Sequence, residues 1–347
     1  MTHSSATLLT TPTLPPADSL PPSDDPRYFP PNFMEHLYTS YLDSGIDLPA
    51  YYQYMREEIK RDRDIANLIA ARTEIQGKDV LDVGCGYGGL LIVMKEAGAA
   101  SLTGIEVDPN RVEWSNKRLE SLGYPAKVFE YDVCRPEAPE ILGSFDIVLA
   151  QDVMEHVPDP SLTIEHLCRM LRPDGAVYVQ VGNKLSPDQL TGDHHYRLPG
   201  ITLLSRAQAM EYFCTRLRLP EANYAVGYWH DENYYRNAFR RHGVTLERAD
   251  RYPTTDHVLW YAQAISEMCI QLRQNLWPDL RPELGQRMKR RMKKIAEIYV
   301  HASRQLAEIA TKRPELLSDA CDAITGRILT GVLRFVGKRE GGNGGGA

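Results

Sequence analysis

No stretch of the chain approaches the roughly 20 apolar residues that a membrane-spanning helix needs, and the N-terminus lacks the apolar core of a secretory signal. Cysteine is scarce and scattered: Cys85, Cys134, Cys168, Cys214, Cys269 and Cys321 include no C-x-x-C pair. That spacing argues against a disulfide framework and against a zinc site. It reads as reduced thiols in a cytoplasmic protein with no resident metal. Positive charge is also in deficit. The formal net charge is -6 and the pI is near 6.0, which gives no general attraction to a nucleic-acid backbone. What the chain does have is 347 residues at 43% hydrophobic content, enough to bury the core of one or two domains.

The stretch from Asp79 to Gly89 reads DVLDVGCGYGG. Val80, Leu81 and Val83 form a short apolar run suited to a strand buried on both faces of a parallel sheet. Gly84, Gly86, Gly88 and Gly89 break it into a tight turn where backbone can approach a ligand. Leu90, Leu91 and Met94 then begin a helical pattern that stops near Gly98. Strand, glycine loop and helix make a nucleotide-binding edge.

Two nucleotides compete for it. Gly84, Gly86 and Gly89 satisfy G-x-G-x-x-G, with Glu106 about twenty residues on, as in a NAD(P)-dependent oxidoreductase. Asp82, however, stands just before the first glycine, where it would repel a pyrophosphate across little water. It suits the cationic amino group of a methionine moiety instead. The D-x-G-x-G form resembles motif I of the class I S-adenosylmethionine-dependent methyltransferases of the small-molecule type.

The rest of the pattern agrees with that resemblance. Strands are predicted over 101–107, 126–131, 145–150 and 176–181, alternating with helices that begin at Pro109 and Pro160. They deliver Glu106, Asp132, Gln151 and Asp152 to strand ends. In a doubly wound sheet ligands bind beyond those ends. The expected architecture is α/β: a Rossmann-like, doubly wound, mainly parallel sheet over 79–250, with N-terminal helices (32–78) covering the cofactor site. A disordered Pro/Ser/Thr-rich leader (1–31) precedes it, and a substrate insertion (183–230) follows the fifth strand. A helical region (251–336) comes next, its apolar residues recurring at steps of four and three: Val258 to Leu272, Met288 to Ile309, and Leu317 to Ile328. The last residues, 337–347, read as a flexible tail. Three helices are expected to fold back on the sheet domain, with pairing to a second subunit as the other possibility. The basic residues around Lys289 and Lys293 fall on the faces that this stripe leaves free, as on a solvated helix.

The resemblance implies S-adenosyl-L-methionine as cofactor, S-adenosyl-L-homocysteine as product and a small-molecule acceptor. It implies contacts from Asp82, Gly84, Cys85 and Gly86 of the loop. Glu106 would hold the ribose hydroxyls, Asp132 and Val133 the adenine, Val107 a flank of the ring, and Gln151, Asp152 and Val153 the methionine part. QDVMEHVPD, from Gln151 to Asp159, resembles the segment after strand four in many small-molecule methyltransferases, including those of quinone biosynthesis, and brings His156 to the transfer centre. The proton of an alcohol acceptor needs a base, for which histidine is suited near neutral pH. His194 and His195, in the loop after strand five, are the further candidates. A hydroxyl of a metabolite or sugar is therefore the expected acceptor, with N- or C-methylation as the alternative.

Overall fold

The computed structural model describes residues 25–41, 48–249, 255–274, 277, 280–316 and 332–339. Strand β1 (Asp79–Val83) is flanked by parallel neighbours β2 (Ser101–Glu106) and β4 (Phe145–Gln151). Outward from these lie β3 (Ala126–Glu130) on one side and β5 (Leu171–Gly182) on the other. The full order is β3-β2-β1-β4-β5-β7-β6, with β6 at Val244–Arg248 and β7 at Val332–Arg339. Crossover connections carry α4 (Gly89–Glu96), α5 (Pro109–Ser121), α6 (Ala138–Leu142) and α7 (Pro160–Arg169). Asp108 and Asp159 cap α5 and α7 by accepting amide hydrogens of the first turn, each followed by proline at the position that needs no donor.

The apolar runs in β1 and β4 are continuous because both faces of the sheet are covered. Leu81, Val83, Val148 and Ala150 face Ile164, Leu167 and Phe239, while Val80, Ile147 and Leu149 face Ile65, Ile69, Leu91 and Met94. The amino ends of the strands are tied by Arg172, which pairs with Asp79 at 2.7 Å and Asp146 at 2.9 Å. The carboxyl ends carry Asp82, Glu106 and, just beyond β4, Asp152.

Helices α1 (Phe33–Tyr41), α2 (Leu48–Arg56) and α3 (Glu58–Ala70) precede the sheet as expected. The predicted leader ends earlier than Pro31. Residues 26–28 form a 3-10 turn, and the fully buried Tyr28 donates its hydroxyl to Glu96, so packing overrides the polar composition of the segment. After β5 the insertion folds as α8 (Pro187–Thr191), α9 (Arg206–Leu217) and loops, before α10 (Glu232–Arg240) returns to the sheet.

Two of the three expected C-terminal helices are seen, α11 (Thr255–Gln271) and α12 (Pro282–Lys312); the third falls on residues outside those described. Met288, Met292 and Tyr299 of α12 pack on Tyr212, Phe213 and Tyr224 of the insertion. Trp277 donates its indole N–H to Pro199 at 2.9 Å. The helical region was expected to reach residue 336 and the tail to start at 337. Instead Val332–Arg339 is the seventh strand, antiparallel to both neighbours. Leu333 and Phe335 enter one face of the core and Val336 the other, a period of two that the preceding helical stripe masks. At Gly337 a Cβ would stand 2.7 Å from side-chain methyls of Leu246 and Val244, which would have to shift to admit a larger residue. No helix among the described residues is long and apolar enough to cross a membrane.

Replacing Phe335 with alanine is expected to destabilise the protein by about 3–5 kcal/mol, because the ring is fully buried between β5 and the helices below it. Urea unfolding followed by circular dichroism measures this; a loss under about 1 kcal/mol would mean that β7 contributes no core.

Candidate functional site

Asp82 is the fourth residue of β1 and Glu106 the last of β2, so the parallel register sets two carboxylates at neighbouring strand ends. Both are almost wholly buried. Burial first, and the charge of Glu106 second, push the Asp82 carboxyl well above the usual carboxylate range. Glu106 is held in place by backbone amides: Gly86 donates to one oxygen at 3.0 Å, and Val107 and Asp108 donate to the other at 2.8 and 3.1 Å. Arg111 stands 3.9 Å from it and donates to the Tyr41 hydroxyl of α1.

The loop between them turns through left-handed backbone. Gly84 has φ +66°, and a Cβ there would stand 2.6 Å from Val153. Gly86 has φ +55°, with no atom within 4 Å of where its Cβ would be, so the loop borders open space. The Cys85 amide donates to Ile105 and its thiol turns toward Gly104, which leaves only its backbone at the loop surface. Loop and cover are locked together by Arg118. This fully buried guanidinium donates to the Tyr28 and Tyr87 carbonyls at 2.9 and 2.7 Å and to Glu58 of α3 at 2.6 Å. Glu58 and Asp62 in turn press on Gly89, where a Cβ would meet both carboxylates near 2.5 Å, so α3 sets acids against the amino end of α4. The rings of Tyr51 and Tyr54, 6.3 Å apart, line this cover, while the Tyr52 hydroxyl is turned away to Met34.

Beyond β4, Asp152 adopts left-handed backbone (φ +53°) and accepts from Gln180 at 2.8 Å, a glutamine that Arg334 of β7 and Tyr178 also hold. The turn that follows places Glu155 and His156 side by side. His156 binds Ala225 of the insertion through Nδ1 at 3.0 Å and meets His195 at 3.3 Å between their Nε2 atoms. Burial holds the His195 imidazole down to about 3, and the protein packed around His156 likewise lowers it although part of that residue reaches solvent, so both rings are neutral at physiological pH. Glu155 moves the opposite way, to about 8, through burial and then the charge of Asp152. After burial, the Ala225 hydrogen bond and Asp152, the charges of Arg111 and Glu106 also act on His156.

The expected residues are thus distributed unevenly. Asp82, Glu106, the glycines, Asp152, His156 and His195 converge. His194 does not: its ring nitrogens are engaged by Asp188 at 3.0 Å and Gln189 at 3.1 Å. Asp132 accepts from the Cys134 amide at 2.8 Å; Val133 is buried, Val107 is exposed, and Gln151 is half-buried at the end of β4. Sequence reasoning passed over Glu155, whose only signal was adjacency to His156. It also missed Asp62 with Glu58, an acidic pair four residues apart on a helix. Arg118 had no signal, because a buried arginine looks like any other in a polar helix.

The donor set suits a sulfonium nucleoside. No hydrogen bond or ion pair to the Asp82 carboxylate occurs among the described residues, so this buried acid lacks a cationic partner that the amino group of methionine would provide. Comparison with known proteins agrees: residues 51–249 match a family model described as a methyltransferase domain. The chain is 36% identical over 118 residues to a ubiquinone biosynthesis O-methyltransferase of Neisseria meningitidis serogroup C, covering 33% of this chain and 49% of that protein. It is 38% identical over 118 residues to a protein of the same name from Xanthomonas oryzae pv. oryzae, covering 33% and 48%. The chain thus spans about half the length of the curated relatives it matches. A magnesium protoporphyrin IX methyltransferase from Synechocystis PCC 6803, solved with S-adenosylhomocysteine bound, superposes over 65% of this chain and 90% of that one at 21% identity and a TM-score of 0.43.

The raised Asp82 pKa has a sign that can be tested. An acid whose folded-state pKa is raised contributes stability present in full below its unfolded pKa and lost as pH rises through the folded one. Asp82→Asn should therefore match the parent in acid and become progressively more stable than it as pH rises toward neutrality. Melting temperatures of both ligand-free proteins across that range check this; an offset independent of pH would contradict it.

Proposed function

The chain belongs to the methyltransferase-domain family, and on that premise we propose that it transfers a methyl group from S-adenosylmethionine to a hydroxyl of a small acceptor. When bound, the cofactor supplies a methyl carbon on a sulfonium sulfur: the C–O bond forms as the C–S bond breaks, and the bonding pair leaves with sulfur. The observation that carries this reading is the buried pair Asp82 and Glu106 across an open glycine loop.

In this reading Asp82 takes the methionine amino group and Glu106 the ribose hydroxyls, as ionised acceptors that form the stronger hydrogen bonds. Gly84, Gly86 and the Cys85 backbone let the nucleoside approach. Asp132 and Val133 border the adenine, with Val107 at its outer edge. Gln151, Asp152 and Val153 border the methionine part. Tyr51 and Tyr54, carried on α2, help exclude water from the transfer, whose rate then depends on aligning donor and nucleophile. The acceptor hydroxyl lies against His156 and His195, whose neutral imidazoles can take up its proton. The insertion, which supplies His195, forms the acceptor wall. The naming of the curated relatives as O-methyltransferases supports oxygen over nitrogen or carbon.

Incubation with S-adenosylmethionine and a panel of phenols, sugars and amines, read by mass spectrometry and NMR, tests this. The expected product carries its new methyl on oxygen, and products methylated only on nitrogen or carbon would contradict the reading. Glu106→Gln should weaken S-adenosylhomocysteine binding by about 10-fold or more, since hydrogen bonds to a charged group are worth about 1.5–3 kcal/mol. His195→Gln should leave that affinity intact while lowering kcat by about 100-fold.

A further inference from the structure

We propose that Glu155, His156 and His195 form a binding site for one divalent transition ion of the zinc type. Their ligand atoms all lie within 4.8 Å of one another, and the two Nε2 atoms are 3.3 Å apart. Nitrogen ligands at about 2.0–2.1 Å from a four-coordinate zinc stand about 3.3 Å from each other, so the histidine pair already has the required spacing.

Each donor is prepared by its surroundings. His156 donates Nδ1–H to the Ala225 carbonyl, which leaves the lone pair on Nε2, facing His195. The His195 ring is held by Trp229 at 5.6 Å and Tyr196 at 6.0 Å between centroids, and its backbone by Asp193. Asp193 is fully buried and accepts from the amides of His195, Tyr196 and Leu198 at 2.9, 2.9 and 2.8 Å. Its Oδ2 lies 3.8 Å from His195 Nδ1. A small ring rotation makes that pair the hydrogen-bonded carboxylate–histidine couple that orients metal-bound imidazoles.

Hydrogen bonding alone leaves the cluster unsatisfied. One N–H between the two rings occupies both Nε2 atoms, yet among the described residues His195 Nδ1 and Glu155 Oε2 remain buried without a hydrogen-bond partner. A bound ion would engage Glu155 and both Nε2 atoms and free His195 Nδ1–H for Asp193. Two imidazoles and one carboxylate suit zinc, cobalt or iron, whereas magnesium and calcium take shells of oxygen. Three protein ligands leave a position open, as catalytic sites require. The sequence hides the set because two ligands are adjacent and the third lies 39 residues on, in the insertion. The use of the ion rests on the methyl-transfer reading: with both Nε2 atoms engaged the imidazoles no longer act as bases, and an acceptor hydroxyl bound to the ion would instead release its proton to water more readily and attack as the oxyanion. Binding of the ion does not rest on that reading.

Titration of the full-length, metal-stripped protein with Co2+ tests the site through visible ligand-field absorption. One ion per chain is expected, displaced by Zn2+ and not by excess Mg2+. His156→Gln and His195→Gln should each weaken binding by at least about 10-fold, and Asp193→Asn by about 10–100-fold. His156 is accessible to solvent, so its substitution carries the test should the His195 variant not fold. No absorption change, or binding that survives in the folded His156→Gln protein, overturns the proposal. The same samples titrated with S-adenosylhomocysteine separate the two readings. Metal binding without nucleoside binding leaves the ion site standing and removes its proposed role. Nucleoside binding without metal binding removes the ion site and leaves the methyl-transfer reading standing.

Discussion

Two carboxyl groups held out of water at the ends of adjacent strands are the constraint that the rest of the structure serves. Burying Asp82 beside Glu106 is unfavourable in the free protein, and the cost appears as a carboxyl that resists ionisation. Glu106 can stay in place because three backbone amides converge on it, two of them from the turn that leads into α5. Among the described residues no amide supports Asp82 in that way. The asymmetry gives the two acids different tasks: one is a fixed acceptor, the other an acid that ionises beside a cation.

Keeping water from that pair falls to elements remote in sequence. Arg118 draws the Tyr28 turn, helix α3 and the glycine loop to one guanidinium, where each carbonyl or carboxylate meets one of its N–H groups. On the opposite side, α12 packs its methionines on the insertion and fixes the loop that bears His195. Seven strands position the acids, and two helical layers enclose them. Strand β7 couples these regions, since Arg334 holds Gln180, and Gln180 holds Asp152.

The sheet and its acidic rim were legible in the chain because strand ends and glycine turns are written in short, local patterns. Asp82, Glu106 and Asp152 follow apolar runs of a few residues, and each run could be read alone. The seventh strand was not legible. Its partners, Val177 and Leu246, lie far back in the sequence, and its own apolar residues follow a helical stripe that suggested more helix. The same reason hid Arg118 and the grouping of Glu155 and His156 with His195: both depend on long-range packing that no local window contains. His194 and His195 looked equivalent as neighbours in a loop. Only the fold separates the one bound to Asp188 from the one facing His156.

Isothermal titration with S-adenosylhomocysteine and with NAD, repeated in buffers of differing ionisation enthalpy, tests the central claim most directly. A cation placed beside Asp82 must lower its pKa, so the homocysteine nucleoside should bind and drive protons off the protein, while NAD should not bind. Tight binding of NAD, or binding of the homocysteine nucleoside with proton uptake, would contradict the arrangement described.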